Sequence, residues 1–564
     1  MVQPLDIIKS KFSEEILGVN NARPEGPLVV RKNRIHEILA FLKDNPELDM
    51  NFLMDIGGVD YLGEDPRFEV VYVLYSLQKK HRIVLRVKVP ESDLHLPTAS
   101  DLWHSANWGE RECWDQYGVV FDGHPFLRRI LNHEDFQGHP LRKDYPVQGR
   151  QALKETVDYQ ILGNMIPDKE GAGQDGIGNF IELNMGPAHT ATHGTLRSKI
   201  LLDGEIIVKV VPEIGYLHRG FEIMSEQVPY QHVIPYTDRL NYCSAPMNNT
   251  CYAMAAEKLL GIEAPPRAQR IRLIIDEVGR IIDHLVALGV NAMDLGAFTN
   301  FWYAFWPREL AYDIFSNLCG SRLTTTYTRI GGLPRDIYDG FEGDIRNFIK
   351  GVNAALADIM ALLKKNRIFN DRIRDVGVIG KELAISYGFT GPNLRAAGVE
   401  YDVRKANPYN GYDQFEFDIP LGEKGDTWDR FFVRVEEIHQ SCSILDQALR
   451  DIPGGPVMVD NPAFTLPDKK EVYGSIEGLM AHFKHIMHGM KPQKGESYSC
   501  TEAANGELGF YIVSDGGQKP YRIKCRPPCF YYYAAFPYLA EGSFLADAVA
   551  VLGSMNVIAG ELDR

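Results

Sequence analysis

One stretch constrains this chain more than any other. Apolar residues return at Ile271, Ile274, Ile275, Val278, Ile281, Ile282, Leu285 and Leu288, the spacing of one helix face, and Pro265-Pro266 opens the run. A helix of this length needs an apolar bed along its whole face, so the chain around it must form a helical body. Phe341–Leu363 and Asp429–Leu449 repeat the pattern. The long run is not a membrane span, because Asp283, His284, Asn291 and Asp294 interrupt the stretch from Ile281 to Trp306. No other stretch reaches the roughly 18 uninterrupted apolar residues a spanning helix needs. The start, Met1-Val2-Gln3-Pro4-Leu5-Asp6, carries no apolar signal segment. These features predict a soluble chain whose membrane contact is peripheral.

The first part of the chain follows a different period. His81–Val89 alternates Ile83, Leu85, Val87 and Val89 against Arg82, Arg86 and Lys88, and Phe68–Leu77 is dense in β-branched and aromatic residues. Asn33–Leu42 and the Trp-rich Thr98–Tyr117 have helical spacing. Residues 1–150 therefore read as a small α/β domain. Gly171 to Gly178 has no apolar period, so residues 151–178 read as a linker and 179–564 as a second domain. That second part opens with a hairpin, Thr195–Leu202 and Glu205–Val211 about Asp203-Gly204, and continues mostly helical. The fold class is α+β.

Composition narrows the chemistry. The 564 residues carry a formal charge of −15, a field that repels phosphate backbones and argues against nucleic-acid partners. The eight cysteines are dispersed and form no CxxC, so the chain lacks the clustered thiolates of a zinc ribbon or iron–sulfur site. The nearest pair, Cys525 and Cys529, is CxxxC across two prolines and reads as two reduced thiols; no metal site is expected. There is no GxGxxG after a strand, no GxxxxGK[ST] and no GxSxG. His189 and His193 lie in a loop rich in Gly, Pro and Thr, where spacing leaves metal ligation, loop hydrogen bonding and proton transfer all open. His482, His485 and His488 read as one face of a helix, and the basic island Arg128-Arg129 to Arg142-Lys143 as a docking loop.

Longer motifs go further. Trp108-Gly109-Glu110-Arg111-Glu112, Asp115, Phe121-Asp122-Gly123-His124-Pro125, Leu127 to Leu131 and Gly138 to Pro146 resemble the C subunit of respiratory complex I. Asn184–Arg197, Ile214 to Glu222, Asp294-Leu295-Gly296-Ala297, Arg329-Ile330-Gly331-Gly332, Tyr401 to Lys405, Gly506-Glu507-Leu508-Gly509 and Asp563-Arg564 resemble the D subunit. In order along one chain, they look like a fused C/D subunit of a bacterial NADH:quinone oxidoreductase.

The resemblance implies a second domain similar in fold to the large subunit of nickel–iron hydrogenases. The two Cys pairs that hold nickel there are absent, and in the complex I family the emptied site takes the quinone headgroup. Carried over by motif, His193 and Tyr242 are the quinone contacts and proton donors, Asp294 is the partner of His193, and Arg239 lies near the terminal iron–sulfur cluster of the neighbouring B subunit. The resemblance further implies partners (the B and I subunits, and the H and A subunits of the membrane arm), quinone as substrate, no cofactor held by this chain alone, and a place on the cytoplasmic face of the inner membrane.

Two positions depart from the family pattern. The usual GPQHP is Gly186-Pro187-Ala188-His189-Thr190 here, which leaves the role of His189 open. The stretch before Arg329, Ser321 to Tyr327, lacks the histidine many relatives carry. Weaker pH dependence of the cluster potential is the expectation, and the quinone stays open, a menaquinone among the candidates. Two rival readings remain at this stage. One is a relative fed by ferredoxin or another donor; the other is a structural subunit with an inactive pocket.

Overall fold

The structure, a computed structural model, describes residues 4–19, 28–146, 148–149, 151, 180–462 and 464–564. It is a mixed helix-and-sheet molecule. The run read from Ile271 to Leu288 is the centre of a 29-residue helix, Pro266–Asp294, whose apolar residues are almost all buried. Helices Ala245–Leu260, Phe298–Cys319, Phe341–Leu363 and Thr427–Ala448 complete the helical body around it. Among the described residues no helix is long and apolar enough to cross a membrane.

Three sheets flank this body. In the first part, strands Ile16–Val19, Leu28–Arg31, His81–Val89, Phe68–Ser76 and Phe52–Asp60 form a five-stranded sheet in that spatial order, parallel only where Leu28–Arg31 meets His81–Val89. The expected hairpin is Arg197–Asp203 with Ile206–Glu213, turning at Gly204 with a φ of +63°. It carries a third strand, Phe180–Met185, that the sequence did not announce. Near the C-terminus, Gly495–Ala503, Gly506–Ser514 and Arg522–Arg526 form an antiparallel sheet. The expected linker, apart from Gln151, lies outside the described residues.

The first sheet packs on the C-terminal one through a seam that is polar and buried. Arg522 and Arg526 donate from Nε to the carbonyl oxygens of Gly58 and Met54 at 2.9 and 3.1 Å. Lys524 Nζ sits 2.8 Å from Glu112, Arg564 pairs with the same carboxylate, and Arg82 reaches Glu507 at 2.8 Å. Tyr531 donates to Asp55 at 2.6 Å. Each charge removed from water meets an opposite charge or a carbonyl, as burial of ions demands. The basic island belongs to this internal wiring. Arg129 pairs with Asp115, Arg128 with Glu134, and Lys143 with Glu226 of the second part, so the loop docks chiefly onto its own chain.

Candidate functional site

The long helix organises the site by its spacing. Asp283 and Asp294 lie eleven residues apart on it, about three turns, and so project from the same face. Asp294 meets His193 directly, and Asp283 holds the segment that carries Tyr242.

At the C-terminal end, Asp294 Oδ2 meets His193 Nε2 at 2.6 Å, with the two side chains 10 and 17% exposed. The contact is close but not aligned as a hydrogen bond, and neither atom has another partner. His193 reaches this position from a left-handed backbone, φ +53°, just after the 3-10 turn Thr190–Thr192. His189 caps that turn, its Nδ1 accepting from the Ala191 N–H at 3.2 Å. The Thr192 hydroxyl sits 2.8 Å from the carbonyl oxygens of both His189 and Gly194. Of the options spacing left open, His189 therefore serves the loop. Helix Leu545–Met555 closes the pair from a third side at Gly553. A methyl there would lie 2.7 Å from Asn291 Nδ2, 3.1 Å from Asp294 Oδ2 and 3.4 Å from His193 Cε1, so only glycine leaves the pair its room.

Tyr242 opens another 3-10 turn, Tyr242–Ser244, capped by Asn241. The Asn241 amide donates to Asp283 at 2.7 Å, Asn556 donates to the other oxygen of Asp283 at 2.7 Å, and the Ser244 hydroxyl adds a contact at 3.3 Å. The tyrosine is itself about one-third exposed. Partial burial raises its phenol pKa, the neighbouring Cys243 and Asp283 add to the rise, and Arg308 opposes them. The phenol is thus a proton holder at neutral pH.

Arg239 stands exposed on the same segment, its guanidinium donating to the Pro235 carbonyl. Its own carbonyl accepts from Arg219 Nη2 at 2.7 Å. Burial, then the nearby charge of Arg239, lowers the pKa of Arg219. Two guanidinium-bearing residues therefore share one surface. At Gly560 a methyl would lie 2.7 Å from the carbonyl oxygens of Arg239 and Leu240, so the last helical turn presses on this backbone. In the stretch before Arg329, Thr326 donates its hydroxyl to the buried Asp238 at 2.6 Å.

Asp283, Gly553 and Asn291 are not legible as site residues in the sequence. Each acts through a fold contact with residues far along the chain, and no local motif marks them; Arg219 lies in the motif Ile214 to Glu222 but is given no role by it. The eight cysteines are all unpaired, seven of them buried, and burial raises the thiol pKa of Cys529 beside Glu561. Among the described residues no group of three or more His, Cys, Asp or Glu side chains is arranged to hold a metal ion.

Comparisons with known proteins bear on this arrangement. Residues 28–151 match the family model described as the respiratory-chain NADH dehydrogenase 30 Kd subunit, and residues 294–564 match that of the 49 Kd subunit. A C/D subunit of NADH-quinone oxidoreductase from Bdellovibrio bacteriovorus is 46% identical over 99% of this chain and 98% of its own length. The chain belongs to the fused C/D subunit family of NADH-quinone oxidoreductases. Within that family a second-copy C/D subunit of Aquifex aeolicus is 39% identical, covering 99% of this chain and 98% of its own. A D subunit of Methylacidiphilum infernorum is 49% identical over 74% of this chain and 99% of its own length. This is a subunit of a multisubunit oxidoreductase.

Proposed function

We propose that this chain forms the quinone-reduction pocket of a proton-translocating NADH:quinone oxidoreductase, next to the terminal iron–sulfur cluster of a partner subunit. The same proposal divides it into a docking part at 1–150, a linker at 151–178 and a quinone-site part at 179–564. The observation that carries it is the contact of His193 with Asp294, a polar pair held at the end of a buried helix.

Quinone reduction to quinol consumes two electrons and two protons, one proton at each carbonyl oxygen. Electrons come from the partner's cluster, which the exposed Arg239 would face; a fixed positive charge there favours the reduced cluster. Tyr242 holds one proton on its phenol and gives it up as a carbonyl oxygen becomes basic. His193 supplies the other. With Nε2 turned to Asp294, Nδ1 is the nitrogen left to meet a substrate oxygen, and the carboxylate orients the ring. Charge rearrangement at His193 and Asp294 is the step that would couple reduction to pumping. The cluster-bearing B subunit, the I subunit and the H and A subunits of the membrane arm are the partners this reading requires. It places the chain peripherally on the cytoplasmic face of the bacterial inner membrane.

The test uses Tyr242→Phe in the membrane complex. Electron transfer from NADH to quinone should fall while transfer to a hydrophilic acceptor that bypasses the pocket is kept. Unchanged quinone reduction in an assembled complex rejects the assignment and leaves the chain a scaffold.

A further inference from the structure

The helix Ile476–His488 is amphipathic in the reverse sense. Ile476, Leu479, Met480, Phe483, Ile486 and Met487 recur at three- and four-residue steps, one stripe of the surface, and every one is 49–73% exposed. On the other side His482 and His485 are half-buried, and His485 Nε2 lies 2.7 Å from the Pro462 carbonyl. Only Gly478 is buried in the whole helix. The short helix Lys469–Gly474 packs against it so tightly that a methyl on Gly478 would come 2.5 Å from the Glu471 carbonyl. Leu466 and Tyr473, just before it in the chain, are also 56 and 88% exposed. At the far end Gly489 abuts Pro229, and His488 lies 3.2 Å from Gln518. The hairpin is therefore clamped to the body by its polar side and its C-terminal end, with the apolar stripe outward. Six large apolar side chains on one exposed face of one helix are the kind of clustered apolar surface that marks an interaction site.

Charge says what covers it. Lys484, Lys491 and Lys494 are exposed along the C-terminal end, and no carboxylate occurs between Glu477 and Glu496. This is a basic rim on a chain of net charge −15. A second copy would bring the same lysines against these, so self-pairing is opposed. The stripe holds two methionines and no tryptophan, a mix that moulds to a protein groove rather than anchoring in a lipid interface.

We propose that Ile476–His488 is a docking ridge for another subunit of the same complex, received in a groove that is apolar along its floor and acidic at its rim. The proposal stands on family membership and surface chemistry, and does not depend on the quinone reading. The ridge inserts as a helix in a groove, with the six stripe residues as anchors and the three lysines meeting carboxylates at the edge.

The experiment places a benzophenone amino acid at position 483 of the full chain within the intact membrane complex, irradiates, and sequences the cross-linked peptide. Support is a cross-link to another subunit of the complex, at an apolar segment flanked by Asp or Glu. A cross-link to a second copy of this chain, a cross-link to lipid, or none at all in a fully assembled complex overturns the proposal. Charge reversal supplies a second measurement that leaves the apolar stripe untouched. Lys484→Glu with Lys491→Glu should reduce retention of the cross-linked subunit about tenfold at low salt, and less at high salt. Undiminished retention at low salt also overturns it.

Discussion

Two histidine–carboxylate pairs share the long helix, and they differ in almost everything else. His284 Nε2 donates to Glu437 at 2.8 Å with both side chains fully buried. The other oxygen of Glu437 accepts from Arg395 Nε at 2.7 Å, and Arg395 goes on to Glu502 at 2.8 Å. Burial lowers the pKa of His284 more than Glu437 restores it, and its Nδ1 has no partner. A second proton there would be a buried N–H without an acceptor, so the ring is neutral. Glu437 stays ionised because Arg395, helped by His284, outweighs the burial cost. His193 and Asp294 meet ten residues further along the helix, the histidine on a loop, the pair partly exposed and misaligned at 2.6 Å. The difference separates two kinds of pair. One is fully buried and tied into a chain of ion pairs through Arg395 and Glu502; the other is partly exposed, and the proposed pocket would use that opening.

The sharpest way to break the comparison is Glu437→Ala. It takes one of two close carboxylates from the fully buried Arg395, which keeps Glu502, and leaves His284 Nε2 without its acceptor. The expected loss is about 3–5 kcal/mol, and the chain should fail to accumulate in the assembled complex. Asp294→Ala should leave assembly intact, and equal losses in the two variants would erase the distinction. Next comes chemistry. Tyr242→Phe should lower the quinone rate roughly 100-fold or more, with the bypass acceptor unaffected. Asp294→Asn should cost about tenfold in the quinone rate, since the imidazole loses the carboxylate that orients it. An unchanged rate would make Asp294 a spacer. Gly553→Ala should force the pair apart, costing about 1–3 kcal/mol as overpacking and raising KM for quinone; wild-type kinetics would show that the loop yields freely.

The smallest effect is a pH dependence of stability. An unfolded histidine takes up a proton below about pH 6.5, whereas folded His284, its pKa lowered, resists. The stability it contributes is therefore present above that pH and is lost as pH falls toward the folded value, at up to about 1.4 kcal/mol per pH unit. His284→Gln should flatten thermal stability between pH 7 and 5.5. A slope unchanged by the substitution would assign the acid sensitivity to other groups.

Periodicity made much of the fold legible. Phe341–Leu363 and His81–Val89 have the bounds their spacing predicts, the helix because one face is buried and the other wet, the strand because one face is apolar and the other carries the charges that meet the seam. The aromatic helix Phe298–Cys319 escaped, since its apolar residues run all round and leave no stripe to read. Strand Phe180–Met185 escaped for the opposite reason: only Met185 is buried, so nothing alternates. At the candidate site, motif resemblance brought His193, Tyr242, Asp294 and Arg239 into view, and the structure brings His193 and Asp294 together across 101 positions. Gly553 could not be found that way. Its significance is the absence of a Cβ beside atoms more than 250 residues upstream, and spacing along a chain carries no information about that.

The seam between the two sheets has a further consequence. The Methylacidiphilum relative, named as a D subunit, covers 74% of this chain, whereas here one polypeptide carries both faces of the seam. Carrying both faces on one chain makes docking an intramolecular closure. A seam built from Lys524 and Arg564 on Glu112 and from Arg82 on Glu507 gains little net energy per pair after desolvation. It is well suited to fixing orientation. The covalent link supplies the proximity, the charges choose the register, and neither has to do the other's task.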